Sequence, residues 1–180
     1  TLITAFANLF GLGGAPLCAM ARGKGNREGA QGIMVNAGFM LLLSGAVLTV
    51  LGIAFHRPLL YLFGASEVTY PYASSYIVIY LIGTLCVMLS LGLNPYINCQ
   101  GFARTGMLTV ALGAAANIVL DPIFIFALHL GVRGAAIATV LSQFLSAAWV
   151  VKFLTGKKAE LKLDFRGFRP DWHCIQRITV

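Results

Sequence analysis

The chain alternates between long apolar runs and short polar breaks. Residues 1–21, 29–55, 68–103 and 134–151 contain no Asp, Glu, Lys or Arg, and within 105–132 the one charged residue is Asp121. Each run can hold the ~20 residues that a helix needs to cross a hydrocarbon core. A helix satisfies its own backbone groups in lipid. A membrane barrel would instead show alternating segments of about ten residues. The pattern therefore predicts an all-α membrane protein, a polytopic helix bundle with five spans at residues 1–21, 31–55, 72–98, 105–130 and 134–154.

Composition agrees with lipid as the surrounding medium. Apolar residues make up 58% of the 180 residues and charged ones 11%, against about 25% charged in soluble domains. Mean hydropathy is +0.83. The few charges are placed unevenly. Arg22, Lys24, Arg27, Arg104, Lys152, Lys157, Lys158, Lys162, Arg166, Arg169 and Arg177 fall on one side of a five-span bundle, leaving Arg57 and Arg133 for the other. The positive-inside rule makes the first side cytoplasmic, so the +7 net charge reports topology. A nucleic-acid surface is disfavoured, because no basic cluster sits on a soluble domain.

Residues 1–163 read as one transmembrane unit. Residues 164–180 mix Phe165, Phe168, Trp172 and Ile175 with Arg and Asp. This suits a cytoplasmic linker lying along the membrane face and leading to another span, and a disordered tail fits the composition equally well. The apolar start and the basic end read as interior points of a longer chain. Gly38, Gly45, Gly52, Gly83, Gly92 and Gly113 are expected to let helices approach closely. Pro16, among Gly11, Gly13 and Gly14, should bend the first span, Pro95 the third and Pro122 the fourth. Cys18, Cys86, Cys99 and Cys174 show no CxxC spacing and read as buried reduced thiols.

Asp121 is the sharpest chemical feature. A carboxylate inside a span is costly and faces a cavity or a partner. Asn117 lies four residues earlier on the same face, with Gly113 and Thr109 continuing the stripe. Pro122 cannot donate to the carbonyl of Ile118, which leaves that oxygen available. Such an oxygen set suits a hard cation or a proton, and the bland alternative is a hydrogen bond between helices. Asn94, Asn98 and Tyr80 could line a cavity or simply bond to neighbouring helices. Helix packing accounts for Ser142, Gln143 and Ser146, although Gln143 also belongs with the cavity candidates. His56, His129 and His173 sit near span ends or in the tail. No Ser/His/Asp set, metal cluster or phosphate loop is present in the sequence, so an enzyme is not expected.

Three stretches together resemble the MATE (multidrug and toxic compound extrusion) family. They are residues 11–17 (GLGGAPL) followed by 22–26 (RGKGN), residues 98–107 (NCQGFARTGM), and residues 117–126 (NIVLDPIFIF) followed by 130–139 (LGVRGAAIAT) and Gln143. The resemblance covers nearly the whole chain, and the third stretch is the specific one. It implies twelve helices in two six-helix lobes, of which this chain would hold helices two to six of the first lobe and the link to a missing C-terminal lobe. It also implies a cation site made of Asn117, Asp121 and Thr139, together with an Asp on a first helix outside this sequence. The implied activity is antiport at the cell membrane, driven by Na⁺ or H⁺ without a cofactor, that expels small organic cations. A lipid-linked saccharide flippase of the same superfamily is the alternative. It would call for basic residues inside the cavity, and the one basic residue within these spans is Lys152, near the end of the fifth. A membrane-embedded enzyme or structural subunit is a third possibility, weakened by the lack of a clustered catalytic set.

Overall fold

A computed structural model of the chain describes residues 2–156, 159–163 and 171–179, all of them helix or connecting segment. In order these are α1 (Leu2–Gly23), α2 (Arg27–Leu62), α3 (Tyr70–Ile82), α4 (Thr84–Cys99), α5 (Ala103–Pro122), a π-helical turn (Ile123–Ala127), α6 (Gly131–Thr155) and α7 (Trp172–Thr179). Helices α1, α2 and α6, and α5 continued through the π turn, are each long and apolar enough to cross a membrane. Helices α3 and α4 pass that test together, bent by 54° between Ile82 and Thr84. The five-span reading therefore holds with this pair counted as one crossing.

Two element boundaries differ from the sequence expectation. The third span is a broken helix, and its break lies at Gly83, well before Pro95, which sits inside α4. A Cβ at Gly83 would stand 2.6 Å from the Val140 side chain, so the corner between α3 and α4 rests on α6. The second span is also longer than its charge-free run. It continues through His56, Arg57 and Pro58 to Leu62, giving 36 residues, or about 54 Å at ~1.5 Å per residue. Polar residues at the end of a span need not end the helix, because they can extend into water. At its start, the Asn26 side chain accepts from the Gly29 N–H at 2.8 Å, a side-chain cap for the first turn. Gly25, at φ +75°, makes the reversal from α1 that most residues resist.

Helix α4 is the hub, packing on α1, α2, α5 and α6. Its face toward α1 and α2 is dry. Leu93, Tyr96 and Ile97 are fully buried there, and the Tyr96 hydroxyl donates to the Phe10 carbonyl at 2.7 Å. A Cβ at Gly11 would lie 2.8 Å from the Gly92 carbonyl oxygen, so the two backbones touch. Gly45 and Gly52 likewise accept the side chains of Leu85 and Leu81, as expected for small residues that let helices pack. The outer faces keep large apolar groups exposed, among them Val50, Ile118 and Phe144. Lipid would cover such surface.

Among the described residues, three segments of the predicted basic side meet at one end of the bundle. Arg22, at the end of α1, donates to the Cys99 carbonyl at 2.9 Å and forms an ion pair with Glu160 at 2.6 Å. The Gln100 side chain accepts from the Leu161 N–H at 3.0 Å. The ends of α1 and α4 and the segment after α6 thus meet in one place. Of the stretch expected to be a linker, residues 164–170 and 180 lie outside the described residues. Helix α7 packs on α1 and α2, with the Asp171 N–H donating to Asn36 Oδ1 at 3.1 Å.

Candidate functional site

The face of α4 opposite the dry seam turns toward α5 and α6. Between these three helices lies a cleft of about 250 Å³, lined by Ser90, Asn94, Thr109, Asn117, Thr139, Ser142, Gln143 and Ser146 with a few apolar and glycine positions. Helical spacing explains the gathering. Ser90 and Asn94 are four apart on α4, and Thr109, Gly113 and Asn117 follow in steps of four on α5. Thr139, Ser142, Gln143 and Ser146 occupy one stripe of α6. Gly113 keeps the space open, because a Cβ there would run into Ser146 Oγ.

The hydroxyl donors in the cleft are already engaged. The Thr139 hydroxyl donates to the Ala135 carbonyl at 2.9 Å, Ser142 to Ala138 at 2.7 Å and Thr109 to Thr105 at 3.1 Å. Ser146 donates across to the Thr109 carbonyl at 3.1 Å, and Ser90 to Gln143 Oε1 at 2.7 Å. Each hydroxyl has one hydrogen, so the lone pairs left over are acceptors. Asn94 Oδ1 is buried and has no hydrogen-bond partner. Leaving such a group unpaired costs about 1–3 kcal/mol. The cleft therefore offers hydroxyl lone pairs and Asn94 Oδ1 as acceptors, beside the side-chain amide N–H groups of Asn94 and Gln143. That chemistry suits a cation.

Asp121 stands one turn beyond the cleft on α5, half-buried, and Asn117 Nδ2 donates to its Oδ1 at 3.2 Å. Asn117 lines the cleft, so it joins the carboxylate to the acceptor set. Pro122 ends α5 at this point and the helix widens into the π turn, an irregularity common where helices carry function. Thr139 lines the same cleft from α6. Asn117 and Thr139 thus line one polar space, and Asp121 is hydrogen-bonded to Asn117 just outside it.

Of the four cavity candidates, Asn94 and Gln143 line the cleft and the other two do not. Asn98 is exposed, lying where α5 approaches α4 over Gly106. Tyr80 belongs to α3, stacks on Tyr76 with ring centres 6.1 Å apart and packs against the dry core. Sequence reasoning missed Ser90 and assigned Ser142 and Ser146 to packing. The stripe of small hydroxyls on α6 was the available signal.

Comparison with known proteins follows the same lines. The MatE family model matches residues 1–123. The multidrug export protein MepA of Staphylococcus haemolyticus is 27% identical over 98% of this chain and 39% of its own length. The FAD transporter of Shewanella oneidensis is 30% identical over 87% of this chain and 36% of its own length. Among solved structures, the inward-facing conformation of a multidrug resistance MATE family transporter superposes with TM-score 0.92 at 29% identity, covering 98% of this chain and 40% of that one. An outward-facing conformation of such a transporter gives 0.90 at 30% identity, covering 98% and 39%. The chain thus spans about 40% of the length of the relatives it matches. With the family model matched over well over half of its residues, this helical membrane chain belongs to the MatE family.

Proposed function

We propose that this chain forms most of the first lobe of a cation-coupled antiporter that exports organic, often cationic, compounds across the cell membrane, with its basic end in the cytoplasm. Asp121, Asn117 and Thr139 bind the coupling ion, Na⁺ or H⁺, and the cleft containing Asn94 and Gln143 contributes to the substrate cavity. One observation carries this reading: a cleft of oxygen acceptors, including a buried unpartnered Asn94 Oδ1, joined through Asn117 to the carboxylate of Asp121.

Coupling follows from linkage. If ion and substrate occupy competing states of one cavity, each favours release of the other, and the coupling free energy is the same in both directions. An anionic cargo would need cationic side chains in the cavity. The residues lining this cleft include no Lys or Arg. That favours cationic or neutral substrates over the lipid-linked pyrophosphate of a flippase, and over a flavin dinucleotide such as the Shewanella relative is named for.

The test is efflux of ethidium from cells expressing the full reading frame, under imposed Na⁺ and then H⁺ gradients, with Asp121→Asn beside the wild type. Efflux should follow one gradient and collapse in the variant at equal expression. Equal efflux by both proteins would make Asp121 structural. Well-expressed protein that moves no organic cation would shift the assignment to the flippase.

A further inference from the structure

A second cluster lies outside the polar cleft, on the dry seam between α1 and α4. Cys18 and Cys99 are 81 residues apart in sequence, yet their Sγ atoms are 3.3 Å apart. The seam explains the meeting. Gly11 touches Gly92, and seven residues further along each helix stand Cys18 and Cys99. Seven residues is close to two full turns, so helices running parallel in contact bring the same face together again. The Tyr96 hydroxyl bond to Phe10 fixes the register between the two positions.

The two sulfurs differ in access. Cys18 is fully buried, with the Ala30 carbonyl 3.6 Å from its Sγ. Cys99 is half-buried, at the last residue of α4, with the Tyr96 carbonyl 3.3 Å from its Sγ. The Arg22 guanidinium is bonded to the Cys99 carbonyl at 2.9 Å, which brings a positive charge beside this thiol. The thiolate is the form that reacts. A disulfide needs sulfurs about 2.05 Å apart, a closure of roughly 1.2 Å from the separation seen here. Side-chain rotation can supply much of that without parting the helices.

We propose that Cys18 and Cys99 form a dithiol modification site, which a small-molecule disulfide oxidises to a reversible bridge between α1 and α4. The Cys99 thiolate attacks one sulfur of the reagent and expels the first thiolate, leaving a mixed disulfide on Cys99. Cys18 then attacks Cys99 Sγ, forming the Cys18–Cys99 bond and expelling the second thiolate, which takes up the Cys18 proton. Two protein thiols are oxidised and one external disulfide is reduced to two thiols. Access sets the order, since the half-buried sulfur is reached first and the buried one resolves the adduct. The site rests on helix packing alone and does not depend on the transport reading.

The test treats the full-length protein, in lipid nanodiscs, with oxidised glutathione, then blocks free thiols with a maleimide and reads tryptic peptides by mass. The expected product is a Cys18–Cys99 bridged peptide, lighter by two hydrogen atoms than its reduced parts and returned to free thiols by dithiothreitol. Cys18→Ser should stop the reaction one step earlier, with glutathione retained on Cys99. The wild-type peptide map answers the question where that variant folds poorly. A bridge from Cys99 to Cys86 or Cys174, a glutathione adduct persisting on wild-type Cys99, or both thiols still open to maleimide would each overturn the proposal.

Discussion

The two faces of α4 meet different neighbours and are built from different chemistry. Toward α1 and α2 it presents Gly92, Leu93, Tyr96 and Ile97, all buried, against a partner close enough for glycine backbones to touch. Toward α5 and α6 it presents Ser90 and Asn94, which border a cleft. The first face uses its polar groups up: the Tyr96 hydroxyl has found a carbonyl. On the second an acceptor is left over, Asn94 Oδ1. In lipid an unsatisfied group is costly; Thr84 Oγ1 at the start of α4 is left over as well, and of the two it is Asn94 that borders the cleft. One helix thus serves as structural seam and as cavity wall, and the two roles separate by helical phase.

Substitutions can break this contrast. Gly11→Leu drives a side chain into the Gly92 backbone, which cannot swing aside. It should lower stability by about 1–3 kcal/mol, the usual cost of overpacking, read as a reduced thermal midpoint in detergent. Asn94→Leu should do the opposite on the other face. Removing a buried acceptor that lacks a donor relieves roughly 1 kcal/mol or more, so the midpoint should hold or rise while ethidium export falls. A drop in both would mean that Asn94 is a structural group. Arg22→Ala tests the basic end and should matter least. Its ion pair with Glu160 is partly exposed, and such pairs contribute about 0–1 kcal/mol, while its bond to the Cys99 carbonyl adds about 1 kcal/mol, so the midpoint should move little and the ion-pair part of any shift should fade in high salt.

Much of this architecture is legible in the sequence, for a physical reason. Lipid imposes one rule on every span, so runs with at most one charge locate α1, α5 with its π turn, and α6 to within a few residues. The same rule explains what stays hidden. The break at Gly83 lies inside an apolar run and depends on contact with Val140, which no local signal announces. The end of α2 passes beyond Phe55 because Arg57 can extend into water. At the candidate site, Asp121 and Asn117 stand out as polar residues among apolar ones. Ser142 and Ser146 are ordinary in a membrane helix until α5 is seen opposite them. The Cys18–Cys99 pair was invisible to a search by spacing, since helix packing alone brings the two together.

The proposed coupling turns on one step: the carboxylate beside the cleft holds a cation which a bound substrate displaces. The most direct measurement adds ethidium to purified full-length protein in weakly buffered detergent, with and without Na⁺, and records the cation released per ethidium bound. The account predicts release of either a proton or a sodium ion from the wild type and none from Asp121→Asn. Ethidium binding of equal affinity in both proteins, with no cation released by either, would contradict it.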